Sequence, residues 1–289
     1  MFNTGAKKEA LRKLKDEVDR YEGRSETVRD EAVMLYELRH ETAASIVVAC
    51  EGYLSDLANA PRKLKKSVGK LRLEFDSFES TIVDLQEEAE DAALKSGSSA
   101  ASGVAAGVGT AAFAPSAAVA IATTFGTAST GTAISTLSGA AATNAALAWL
   151  GGGALAAGGG GMAGGQAILA LAGPVGWAIG GASLIGAGGY SWYKNKKIAE
   201  EATEKAAEVH EQVLVLDRAH SEIGELLELT EQHEEGVRDQ LKFLRWEAPE
   251  NYQDFTDEAK SHLGALINNV NALSQLLNRK IEVPVANKN

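Results

Sequence analysis

Between Lys95 and Lys194 the chain carries no Asp, Glu, Lys, Arg or His, so all 28 basic and 39 acidic residues lie outside residues 96–193. The uncharged stretch is built from Ala, Gly, Ser and Thr with scattered Ile, Leu, Val, Trp and Phe, and it holds 23 of the 30 glycines. Few environments suit such a segment. Glycine costs about 1 kcal/mol relative to alanine in a water-exposed helix, so a helix of this composition must be buried in protein, in an oligomer or in a bilayer. The chain therefore divides into three parts: an amphipathic arm at 1–95, the charge-free region at 96–193 and a second amphipathic arm at 194–289.

Both arms read as long helices. After Pro61, a favourable first-turn residue, Leu64, Val68, Leu71, Phe75, Phe78, Ile82, Leu85 and Ala89 alternate in steps of four and three, a heptad seam. Upstream, Val28, Ala32, Leu35, Ile46, Cys50, Tyr53 and Leu57 mark another amphipathic helix that ends before Pro61. In the second arm Val209, Val213, Leu216, Ile223, Leu227, Val237, Leu241 and Leu244 form a stripe, interrupted at His220, Thr230 and Glu234. A turn around Pro249 leads to a last helix through Ala259, Leu263, Leu266, Val270, Leu273 and Leu277. No strand-like alternation interrupts them. The expected fold is all-α: an elongated bundle of long, coiled-coil-like helices around a glycine-rich apolar helical hairpin.

Within the middle, Ser96 to Ser102 reads as a hinge, with Gly97 and Gly103 as its pivots, and Pro115 can open a helix through Val119, Ile121 and Phe125. Residues 128–150 read as a hydroxyl-rich helix broken at Gly151 to Gly153. Gly153, Ala157, Gly161 and Gly165 place a small residue at every fourth position, and Ala178, Ala182 and Gly186 do so again after the turn at Pro174. Such strips let helix backbones approach closely, a packing favoured in lipid. Residues 154–172 and 174–193 are each about long enough to cross a ~30 Å hydrocarbon core. Trp149, Tyr190, Trp192 and Tyr193 lie near segment ends as candidate interface anchors, and Lys194, Lys196 and Lys197 follow directly. Two readings of this region compete: a segment with sheltered and inserted states, or a hairpin permanently packed in a water-soluble bundle.

Chemistry finds no foothold. Gly159, Gly161 and Gly164 match the dinucleotide pattern, but no strand precedes them and Leu184 stands where an acidic residue would hold a ribose. His210-Glu211 and His233-Glu234 begin like zinc-protease helices, yet Leu214 and Val237 occupy the second-histidine positions. The acidic run Glu87, Glu88, Glu90 and Asp91 sits on a charged helix end, and Ser129 and Ser135 have no histidine between His40 and His210 to activate them. No enzyme, metal or cofactor is expected. The single cysteine, Cys50, rules out an intramolecular disulfide and fits a reducing cytosol. The first fifteen residues lack the apolar core of a secretory signal, so cytoplasmic synthesis with a membrane-associated state is expected. A net charge of −11, negative in both arms, argues against a nucleic-acid partner.

The seams 64–89 and 209–244 flanking the apolar hairpin 154–193 resemble, in organisation, the cytolysin-A type of α-helical pore-forming toxin. The resemblance implies a soluble monomer that sheathes its apolar segment, meets a lipid bilayer, releases the segment and forms a homo-oligomer. It also implies that Ala157, Gly161, Gly165, Ala182 and Gly186 make close helix contacts, that Trp149, Trp177 and Trp192 are lipid or interface anchors, and that Gly97, Gly103 and Pro174 are the hinge and turn. The alternatives are a soluble helical scaffold that recruits a helical protein partner, and a constitutive membrane protein with both arms cytoplasmic.

Overall fold

The computed structural model describes residues 4–104, 120, 123–125 and 191–281, with side chains over 5–83, 120, 123–125 and 195–281. The described part is all-α. Helix α1 runs Thr4–Asp56, α2 Arg62–Val104, α3 Ser191–Glu247 and α4 Asp257–Leu276, with a single 3-10 turn at Tyr252–Asp254 before α4. At 1.5 Å per residue α1 and α3 are each roughly 80 Å long, whereas α4 is only about 30 Å.

The heptad spacings become buried stripes. On α2, Leu64, Val68, Leu71, Phe78 and Ile82 are buried and Phe75 is partly so; the side chains of Leu85 and Ala89 lie outside the described ones. On α4 all six expected positions, Ala259 through Leu277, are buried. The stripe of α3 differs at one place. Leu226 is buried and Leu227 only half-buried, because after Ile223 the buried line advances by three residues rather than four.

Side-chain pairs fix the helix directions. His210 Nδ1 lies 3.1 Å from Glu17, Arg24 Nε 2.7 Å from Asp217 and His220 Nδ1 2.7 Å from Glu31. Farther along, Thr42 donates to Glu234 at 2.8 Å and Arg238 to Ser45 at 3.0 Å. Residue numbers rise together in these pairs, so α1 and α3 are parallel. By the same logic α2 is antiparallel to α1, through the two-pronged Arg72 to Glu51 pair at 3.0 and 2.8 Å and through His40 to Glu79 at 2.8 Å. Helix α4 is antiparallel to α3, with His262 Nδ1 2.7 Å from Gln240 and its ring stacked on Phe243 at 3.6 Å. The approach is close enough that a Cβ on Gly236 would stand 2.5 Å from the Asn269 side-chain nitrogen, so a larger residue there requires that amide to move.

The molecule is thus two helical hairpins, α1–α2 and α3–α4, laid side by side with their turns together. The turns are stitched to each other. Ala58 N–H donates to Glu250 O at 2.9 Å, Tyr252 N–H to Ala58 O at 3.0 Å and Asn59 Nδ2 to Asn251 Oδ1 at 3.1 Å. Asn59 has φ of 55°, a left-handed conformation that asparagine tolerates better than other side chains. Thr256 caps α4 by accepting from Ala259 N–H. At the opposite end α2 leads out of the described bundle and α3 leads back in, so both connections to the charge-free region point the same way.

Neither charge boundary coincides with a helix boundary. Helix α2 continues past Lys95 to Val104, and Gly97 and Gly103, expected to be hinge pivots, lie inside it. Helix α3 begins before Lys194, with Trp192 and Tyr193 in its first turn. Alanine, a strong helix former, lies on both sides of Gly97, and two glycines cost too little to stop a helix of this length. Of the helix expected after Pro115, Ala120, Thr123 and Thr124 are helical, but Phe125 has left it for a β-bridge.

Candidate functional site

The buried interior falls into two clusters with a polar layer between them. Near the stitched turns, Ile46, Val47, Cys50, Tyr53, Leu64, Leu71, Val237, Leu244, Leu263, Leu266 and Val270 come from all four helices. In the far cluster Val28, Ala32 and Leu35 of α1, Phe78 and Ile82 of α2, and Leu216, Ile223 and Leu226 of α3 remain, but α4 contributes only Leu276. The missing corner is filled by two residues from elsewhere. Phe125 is 1% exposed and Ile281 is 2% exposed, and both belong to this cluster.

These two side chains are positioned by a short parallel β-bridge between Phe125 and Ile281, in which Ile281 N–H donates to Thr124 O at 2.8 Å. The four residues 278–281 that carry Ile281 run from the end of α4 across to α2 and α1 as a strap. Asn278 Nδ2 donates to both the backbone carbonyl and a carboxylate oxygen of Glu74 on α2, each at 2.9 Å. Arg279 N–H donates to Leu276 O at 3.2 Å, which finishes α4. The Arg279 carbonyl accepts from Arg39 Nη2 at 2.8 Å.

Arg39 sits in the α1 seam between Leu35 and Ile46 and is 1% exposed. Its Nε has no partner among the described residues, and burial, with the Arg279 guanidinium nearby, lowers its pKa to about 10. Thr42, Thr230 and Ser274 are buried beside or below it. Thr230 satisfies itself on Leu226 O at 2.6 Å, and Thr42 donates to Glu234, whose other oxygen accepts from Arg238 at 2.6 Å. Arg39, Thr42 and Thr230 line a cavity of about 10 Å³ together with Leu276 and Leu277. That is room for one water and too small for an organic ligand.

No group of three or more His, Cys, Asp or Glu side chains that could hold a metal occurs among the described residues. All five histidines bridge helices: His40, His210 and His220 to glutamates, His233 to Asn269 at 2.9 Å and His262 to Gln240 at 2.7 Å. Cys50 is buried and its thiol is pushed up to about 12 by burial, so it is a packing residue with little thiolate.

Of the candidate membrane residues, Lys196 and Lys197 are exposed and lie 3.6 Å from Glu200 and Glu201, one turn along α3. Trp192, Tyr193 and Lys194 are placed by backbone only, at the start of α3. Pro115, Trp149, Gly153, Ala157, Gly161, Gly165, Pro174, Trp177, Ala178, Ala182, Gly186 and Tyr190 lie outside the described residues. No helix among the described residues is long and apolar enough to cross a membrane. Sequence reasoning missed Arg39 and Ile281. Arg39 had a signal, an arginine on the heptad line Leu35, Arg39, Thr42, Ile46; Ile281 had none, being a lone apolar residue after the last periodic helix. No protein family, no curated protein and no solved structure matches this chain.

Proposed function

We propose that this is a conditional membrane-inserting protein of pore-forming type, in which two helical hairpins packed in coiled-coil fashion hold an apolar glycine-rich region in a sheltered state. The observation that carries the reading is Phe125, a residue of the 98-residue uncharged stretch that is 1% exposed inside the core of the charged arms. Burying such a ring is worth about 1.5–3 kcal/mol, a retention that burial in lipid can replace. The helical hairpin at 154–193 is the inserting element of this reading. Its small-residue strips, Gly153 to Gly165 and Ala178 to Gly186, serve contact between copies, and Trp149, Trp177, Tyr190, Trp192 and Tyr193 serve the headgroup zone. Both connections to this region point away from the stitched turns, so it can move without separating the hairpins.

The same burial of Phe125 favours a second reading, a soluble helical scaffold with the uncharged region permanently packed. Dye release from liposomes, with flotation of the same samples, separates the two. Release with flotation is the expected result. A well-folded helical sample that neither floats nor releases dye rejects the membrane reading.

A further inference from the structure

We infer that residues 278–281 are an autoinhibitory clasp: the strap that follows α4 holds Thr124 and Phe125, within the uncharged stretch, in the bundle, and it must open before that part of the stretch can leave. This rests on the membrane-inserting reading for its purpose, but its physical content stands apart from lipid.

The strap reaches three separate bodies with one link each. Asn278 grips Glu74 on α2, the Arg279 carbonyl is gripped by Arg39 on α1, and Ile281 N–H binds Thr124 O. The first two fix the strap to the arms and the third fixes the uncharged segment to the strap. Ile281 and Phe125 are buried in the same cluster, so removing the Ile281 side chain removes apolar cover beside the bridge that holds Phe125.

The clasp is also made to open at modest cost. Arg39 Nε and Thr124 Oγ1 are buried without partners among the described residues, and burial holds the Lys280 ammonium below its usual pKa. Leaving buried polar groups unsatisfied is unfavourable, so opening the strap returns these groups to water and offsets part of the lost apolar burial. The turn-end cluster holds such a group too, the Tyr53 hydroxyl, but there it lies among contacts of long helices rather than under a four-residue strap. Opening is therefore a local event at lower free energy than unfolding the arms.

The test is hydrogen–deuterium exchange of the full chain, comparing wild type with Ile281→Asp and Asn278→Ala. In Ile281→Asp, amides at 123–125 are expected to exchange at least about tenfold faster, ~1.4 kcal/mol of easier opening, while those of Leu263 to Val270 in α4 keep their rate. Should that variant fail to fold, Asn278→Ala gives the same pattern at about threefold, since it removes only side-chain bonds. Unchanged exchange at 123–125, or acceleration shared equally by α4, overturns the clasp. Adding phosphatidylcholine–phosphatidylglycerol vesicles separates the two proposals. Faster exchange with increased flotation supports both, whereas faster exchange without flotation keeps the clasp and rejects membrane insertion.

Discussion

The two halves of the bundle solve the same packing problem with different means. Near the turns, four helices supply the interior from periodic positions of their own, and the two turns are joined by backbone hydrogen bonds. In the far half α4 has ended, and the vacancy is closed by Phe125 and Ile281, neither of which belongs to a long helix. One half is self-sufficient and the other is borrowed shut. The difference teaches that helix length sets where a bundle is permanent and where it can be conditional.

Truncation of a core side chain in each half breaks the comparison most directly. Leu266→Ala, at a fully buried α4 position, should cost about 3 kcal/mol and lower the main thermal transition. Phe125→Ala removes a larger side chain, yet it should shift that transition less, because the far corner can open without the helices separating. Equal loss in both, followed by calorimetry, would show that the halves are one cooperative unit.

Buried phenols give a second contrast, one per half. Tyr21 in the far cluster and Tyr53 near the turns both have their pKa raised by burial to about 12 from an ordinary value of 10. The folded state keeps the proton that the unfolded chain releases above pH 10. The stability this represents is fully present below pH 10 and is lost as pH rises towards 12. Ultraviolet titration against circular dichroism should show both phenols ionising with unfolding; Tyr21 ionising before helix loss would mark the far half as the looser one.

The smallest effect is expected at the boundary. Arg39→Met removes a buried guanidinium with an unpaired Nε, and replacing such a charge by an apolar side chain is often stabilising. The helices should gain about 1 kcal/mol, while amides of 279–281 exchange faster because the Arg279 carbonyl has lost its donor. A variant that moves both measurements in the same direction contradicts the separation of arms and strap.

Much of this was legible in the residues themselves. The steps of three and four from Leu64 to Ile82 and from Ala259 to Leu277 identify both helices and their buried faces, since burial follows the helical period. Partner and direction are another matter. A heptad says that a helix has a partner, not which one, so the parallel pairing of α1 with α3 had to come from contacts such as Glu17 with His210. Phe125 was placed on a helix because Pro115 can start one, but a β-bridge to Ile281 depends on a segment more than 150 residues away, and no local pattern encodes it.

The parallel pairing also sets a schedule. Partners such as Glu17 and His210 are 193 residues apart in the chain, and a ribosome adding roughly 5–20 residues per second needs about 10–40 s to make the second after the first. During that interval α1 has no α3, and the uncharged stretch is synthesised before α3. Each newborn copy therefore passes through a period in which its uncharged stretch exists and the parallel partner of α1 does not, so under the proposed reading the order of synthesis bears on that stretch as well as the folded state does.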